Sequence, residues 1–257
     1  MKRFRFESFM KFIIQSPKYG TFTEAARTDP EQYSHDTWRD EFINLESPEQ
    51  LLWDYVQKYV DVQSGYLIAD DTILDKPRGP KIEGVGFHYS GKHKRSGPCL
   101  VSLVWTDGKY VFPVDFRVYN KNDGVTKNEH LRGMLKTAKE RGFTPKMMMF
   151  DSWYSACETL HLLQSWNWEY MVGIKSNRVL IHFPSPYQQE TIPLKSFLID
   201  QDGLRCRLKG LGIHRCFSQP SNKQGSGAQT TPTTENTQTH FFSHRTLSQR
   251  SETTLFG

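Results

Sequence analysis

Hydrophobic positions along this chain change their period near Gly65. Before it, the clearest signal begins at Ser47-Pro48-Glu49-Gln50: a cap residue, a proline at the first helical position and a glutamine at the third. Leu51, Leu52, Tyr55, Val56, Tyr59 and Val60 then recur at three- and four-residue steps, which predicts an amphipathic helix. A shorter helix starts at Thr21-Phe22-Thr23-Glu24 and is broken by Asp29-Pro30, after which Ser34-His35-Asp36 caps another through Phe42. Residues 1–64 therefore read as helical. Two short helices across a tight break fit a helix-turn-helix that places its second helix in a DNA groove. They fit a plain bundle equally, because residues 34–42 carry one arginine, Arg39, against Asp36, Asp40 and Glu41.

From Gly65 onward the apolar runs are short and strand-like. Tyr66-Leu67-Ile68-Ala69 stops at Asp70-Asp71, and residues 98–105 and 109–119 form two further strands around the turn Thr106-Asp107-Gly108. Thr126-Lys127-Asn128-Glu129 is a capping box opening a helix through Leu131, Leu135 and Ala138, with Gly142 as its stop. Met147-Met148-Met149-Phe150 is a strand ending on Asp151, a helix follows over 154–166, and residues 168–174 make a fifth strand. Three antiparallel strands and then alternating helix and strand is the order of an α/β, RNase H-like mixed sheet with flanking helices. Residues 65–174 are its expected extent.

Composition refines this picture only slightly. The 33 Lys and Arg outnumber the 28 Asp and Glu, giving +5, which permits nucleic-acid binding without demanding it. No apolar run approaches the roughly 18 residues of a membrane span, and the basic start MKRFRFESFMKFII holds Glu7 and lacks a small-residue cleavage site. A cytoplasmic protein is expected. Cys99, Cys157, Cys206 and Cys216 form no C-x-x-C pair, so reduced thiols are expected rather than a zinc site. Residues 218–240 hold one apolar residue, Ala228, and 19 of 23 are Ser, Thr, Gln, Asn, Gly or Pro. Such a tract buries too little surface to offset its chain entropy, so residues 217–257 are expected to be a disordered tail.

The chemistry lies in the strand-end acids. If the strands carrying Asp71 and Asp151 are neighbours, the two carboxylates can share a divalent ion, and hard oxygen ligands suit Mg²⁺ or Mn²⁺. Two such ions, about 4 Å apart, activate an attacking oxygen and stabilise a leaving one in phosphodiester attack. The basic loop 76–95 supports a DNA partner. It carries Lys76, Arg78, Lys81, Lys92, Lys94 and Arg95 against Glu83 alone, with His88, Tyr89 and His93 interleaved. Trp153, Trp166 and Trp168 are assigned to core packing.

Tyr66-Leu67-Ile68-Ala69-Asp70-Asp71-Thr72-Ile73-Leu74-Asp75-Lys76-Pro77 resembles the first catalytic block of bacterial insertion-sequence transposases of the DDE superfamily. Met147-Met148-Met149-Phe150-Asp151-Ser152-Trp153-Tyr154 resembles their second. The resemblance covers roughly residues 20–215 and implies metal-dependent nicking and strand transfer on double-stranded transposon-end DNA, in a bacterial cytoplasm. On the family pattern the Asp before Thr is the metal ligand, which points to Asp71. Strand alternation lets only one of the pair face the site, so Asp70 is the alternative. The family places a β-rich insertion after the fifth strand, and residues 175–216 would begin it. These transposases take a third carboxylate from a helix bearing Y-x2-R-x3-E-x6-K, and no window here matches. Arg27 and Glu31 have the R-x3-E spacing but precede the first Asp, while Glu190, Glu235 and Glu252 lack the arginine. The text changes character near Cys216, as a frameshifted reading of a gene would. The expectation is a transposase inactive as written. Its rivals are a non-catalytic DNA-binding remnant and an RNase H-like nuclease of another family.

Overall fold

The computed structural model describes residues 2–16, 20–28, 33–76, 84–90, 93–175, 178–185, 188–193, 204–208, 213–218 and 240–244. The chain forms two compact units, residues 1–51 and 52–257. The first contains α1 (Lys2–Gln15), α2 (Phe22–Thr28) and α3 (His35–Ile43). These amphipathic segments converge on one aromatic centre: the Phe9 ring lies 5.0 Å from Phe22, 5.7 Å from Trp38 and 4.8 Å from Phe42. Ser34 caps α3 by accepting the Thr37 N–H. Arg39 is spent on Asp36 and Asp40, at 3.3 and 3.0 Å. The helix read as a candidate groove reader thus has its arginine engaged by two carboxylates of its own turns.

A fourth helix, α4 (Pro48–Val56), begins in the first unit, and its Trp53 and Val56 enter the core of the second. The sequence alone assigns this helix wholly to the N-terminal region. Leu52 packs against the same core, beside the buried Trp53 and Val56.

The second unit is built on β1 (Tyr66–Ile73), β4 (Cys99–Thr106), β5 (Val111–Tyr119), β6 (Met147–Phe150) and β7 (Tyr170–Ile174), with α5 (Lys127–Glu140) and α6 (Cys157–Ser165) between the later strands. These five lie in the order β5-β4-β1-β6-β7. β4 and β5 run antiparallel beside β1, while β6 and β7 run parallel to it. That is the RNase H-like sheet expected from the element order.

Alternation along β1 sorts its residues onto two faces. Leu67 and Ala69 are buried with their partners Trp105 and Leu103 on β4 and Met148 and Phe150 on β6. α5 adds Leu131, Met134, Leu135 and Ala138 to this core, and α6 adds Leu160 and Leu163. Tyr66, Ile68 and Asp70 lie on the opposite face, partly buried or exposed. Thr126 and Glu129 complete the capping box that starts α5, as the sequence predicts.

Three elements differ from the sequence reading. β1 does not stop at the acids but runs on to Ile73, because β4 is long enough to pair with it throughout, Asp70 opposite Ser102 and Asp71 opposite Val101. The basic stretch 76–95 is not all loop. β2 (Gly86–Ser90) and β3 (His93–Gly97) form a separate two-stranded sheet that overlaps its second half, and His88 is buried. Its polar composition conceals the alternation that forms it.

Beyond β7 the sheet continues in the order β12-β11-β10-β8-β9, with β8 (Val179–Ser185), β9 (Gln188–Pro193), β10 (Leu204–Leu208), β11 (Ile213–Ser218) and β12 (His240–His244). β12 sits between β7 and β11, pairing Phe242 with Val172 and with Cys216. Within the segment 217–257 expected as a tail, β11 reaches Ser218 and His-Phe-Phe-Ser-His forms β12. Residues 219–239 and 245–257 lie outside the described residues. Among the described residues, no helix is long and apolar enough to cross a membrane.

Candidate active site

Parallel pairing of β1 with β6 ends at Ala69 opposite Phe150, so the next residues in register are Asp70 and Asp151. Alternation along β1 puts the Asp70 side chain on the face opposite Leu67 and Ala69, and Asp70 and Asp151 are both exposed. Burial and the adjoining charges of Asp71 and Asp151 push the Asp70 carboxyl above its ordinary value, opposed by the Asp71 N–H that donates to Asp70 Oδ1 at 2.8 Å. Asp151 is oriented by its own loop, where the Trp153 N–H donates to its Oδ1 at 2.8 Å. Gly173 on β7 lets that loop sit close, since a Cβ there would come within 2.8 Å of the Ser152 nitrogen.

Asp71 points to the other side, among Cys99, Lys127 and Tyr154. Lys127 Nζ donates to Asp71 Oδ2 at 2.6 Å, and the Tyr154 hydroxyl donates to Oδ1 at 2.8 Å. The Cys99 thiol lies 3.6 Å from Oδ2. Burial alone would raise the Asp71 carboxyl, but the hydrogen bonds from Lys127 and Tyr154 outweigh it and hold the group below its ordinary value. Lys127 responds in the matching sense: burial would lower its pKa, and Asp71 raises it instead. Burial together with the bond to Asp71 pushes the Tyr154 phenol upward, so it remains a donor. The oxygens of Asp71 are therefore already taken by protein donors. Asp71, expected as the residue facing Asp151, lies on the helix-covered face of β1 and the alternative, Asp70, on the opposite face, because β1 continues as a regular strand.

Sequence reasoning missed Lys127 and Tyr154. Tyr154 stands within the Asp151 block, and Lys127 is the first residue of α5 after the capping threonine, but no spacing rule links either to Asp71.

The remaining candidates are only partly described. Lys76 has a backbone N–H that donates to the Ser96 carbonyl at 2.7 Å, and both Lys76 and Arg95 are exposed. Arg78, Lys81 and Lys92 lie outside the described residues, as does the side chain of Lys94. Trp168 is buried and Trp166 packs edge-on against it at 5.2 Å. Trp153 departs from the core assignment: it is 56% exposed, with Lys175 Nζ 4.5 Å from its ring centre. Its backbone is tethered to Asp151 and Asn128, leaving the indole outside. Cys99 and Cys157 are free thiols.

Hard carboxylate oxygens at Asp70 and Asp151 fit a Mg²⁺- or Mn²⁺-type ion in kind. Among the described residues, no three His, Cys, Asp or Glu side chains converge as a full ligand set. The pair suits one such ion that keeps most of its waters.

Comparisons with known proteins identify the family. A search of curated proteins gives no match. Among solved structures, the chain is similar to the piggyBac transposase in a synaptic complex with hairpin DNA, seen by cryo-electron microscopy. The identity is 12% and the TM-score 0.48, covering 94% of this chain and 51% of that one, so this chain spans about half of that protein's length. The profile of the family described as DDE superfamily endonuclease matches residues 31–195, more than half of the sequence and both acid-bearing strands. The chain belongs to the DDE superfamily endonucleases.

Proposed function

We propose that this chain derives from a DNA transposase and that Asp70 and Asp151 are its divalent-metal ligands. What supports this reading is the division between adjacent acids: Asp70 and Asp151 each follow the last β1–β6 pair and are exposed, whereas Asp71 is held by Lys127 and Tyr154. A hard divalent ion bound there would supply Lewis-acid activation of an oxygen for phosphodiester attack. The protein's own part is to hold the two carboxylates on one side of the sheet. Lys76, Arg78, Lys81, Lys92, Lys94 and Arg95 would engage the phosphate backbone of double-stranded DNA without reading its sequence.

Within these residues no window supplies the Y-x2-R-x3-E-x6-K helix, so we read the chain by itself as able to hold one ion and to bind DNA, without completing strand transfer. The two Asp-bearing words support an origin in a bacterial insertion sequence.

The test combines Mn²⁺ binding with a strand-transfer assay on linear DNA carrying the element's ends. Asp70→Asn and Asp151→Asn should each abolish Mn²⁺ binding, and the wild-type chain should yield no strand-transfer product. Nicking by the wild-type chain that disappears in Asp151→Ala would overturn the inactive reading and show that another carboxylate completes the site.

A further inference from the structure

The side chains of Asp71, Lys127 and Tyr154 form a cluster that the proposed ligand pair leaves unused. Its placement is specific. Asp71 follows Asp70 on β1, Tyr154 follows Asp151 by three residues, and Lys127 is the first residue of α5. The β1–β6 ladder ends at Ala69 and Phe150, one residue short of both acids. No ladder pair joins the strands where the two carboxylates repel each other. On the opposite face, the Tyr154 hydroxyl reaches Asp71 Oδ1 at 2.8 Å, linking the β1 acid segment directly to the Asp151 loop. Tyr154 is fully buried, so its ring cannot swing. Lys127 fixes the other carboxylate oxygen at 2.6 Å while lying 5.4 Å from the centre of the Tyr119 ring. Charge-assisted bonds of this kind are short and directional.

We infer that Asp71 is a positioning residue: with Tyr154 and Lys127 it forms a brace behind the sheet that sets the separation of Asp70 and Asp151. The brace does where the ladder has ended what backbone pairing does further down the strands. It also explains two adjacent acids on one strand, one directed to the ligand side and its neighbour anchoring the strand from behind. The metal-binding consequence rests on the proposed ligand role of Asp70 and Asp151; the mechanical coupling does not.

The experiment compares Tyr154→Phe, which removes one hydroxyl and no charge, with two charge-neutral double variants. Asp71→Asn with Lys127→Gln keeps hydrogen-bonding groups in place, and Asp71→Ala with Lys127→Ala removes them. Each variant is first checked for a cooperative melt. Hydrogen exchange of the metal-free protein is read at the Trp153 amide, whose N–H is held by Asp151, and Mn²⁺ affinity by electron paramagnetic resonance of the free ion. Tyr154→Phe and the double-alanine variant should speed Trp153 exchange and weaken Mn²⁺ binding about tenfold, the usual scale for groups that orient ligands. The Asn/Gln variant should stay near wild type in both. Unchanged exchange in a folded Tyr154→Phe would overturn the brace. Faster exchange with unchanged Mn²⁺ affinity would reduce it to a structural contact and overturn the positioning role. If the wild-type protein binds no Mn²⁺, the ligand reading fails, and the exchange data alone decide whether the brace couples the two segments.

Discussion

Lys127 and Asp71 form an ion pair that engages one of two neighbouring carboxylates. Their side chains are 14% and 21% exposed, so the pair is neither a surface bridge nor a fully desolvated one. Lys127→Met should leave Asp71 half-buried without its cation and destabilise the unit by about 2 kcal/mol, measured by urea unfolding. Adding Asp71→Asn should recover part of that loss, since the unpaired charge goes with it. The pH dependence has a definite sign. Because the folded state lowers the Asp71 pKa, its contribution is complete above the unfolded value of about 3.9 and disappears as pH falls through the lower folded value. Urea midpoints measured between neutral and strongly acidic pH should fall less steeply in Asp71→Asn than in wild type. An equally steep fall would remove Asp71 from the acid response.

Helix α5 carries this chemistry because its start is locally specified. Thr126 accepts the Glu129 N–H, and Glu129 returns a carboxylate to the Thr126 N–H at 2.7 Å. Thr126→Ala should cost about 1 kcal/mol, again by urea unfolding. Fraying there should loosen Lys127, which is the next residue. The β2–β3 hairpin depends on a different constraint. It returns to the β1 extension at Gly97, where an added Cβ would overlap the Leu74 carbonyl oxygen. The flanking bonds, Leu74 N–H to Pro98 O and Lys76 N–H to Ser96 O, hold the backbones at that approach. Gly97→Ala should therefore destabilise the second unit by on the order of 3 kcal/mol, seen as a lower melting temperature with the hairpin detached. A melting temperature equal to wild type would show that the two backbones separate at little cost.

At the scale of the whole molecule, the sheet core and the charge distribution make separate predictions. The core around Leu131, Leu135, Met148 and Leu163 is fully buried, so Leu163→Ala should cost about 2–5 kcal/mol. DNA binding should be sequence-tolerant and steeply salt-dependent, because the lysines and arginines of residues 76–95 suit phosphates rather than base edges. Reversing Lys92, Lys94 and Arg95 should flatten the slope of log affinity against log salt, by about 0.9 for each phosphate that is no longer neutralised. An unchanged slope would remove this segment from the interface.

Local rules made much of this architecture legible from the residues alone. The Ser47-Pro48 start, the Thr126 capping box, the turn at Asp107-Gly108 and the apolar runs ending near Asp70 and Asp151 depend on neighbours within a few positions. Side-chain period and caps therefore predicted the helices, the five strands and their RNase H-like order. The N-terminal unit shows the limit: the helices are readable, but only packing shows Phe9 joining Phe22, Trp38 and Phe42 and Arg39 engaged by its own acids. Which of Asp70 and Asp71 turns toward the helices was equally beyond local reading. It turns on β4 extending β1 past the acids, on Lys127 56 residues away and on Tyr154 83 residues away. The same holds for β12, a short run after a polar tract that becomes a strand only because β7 and β11 offer it edges to pair with, and for Trp153, an aromatic that backbone tethers leave outside the core. Secondary structure follows from interactions along the chain, whereas the roles of its carboxylates depend on side chains that only the folded sheet brings together.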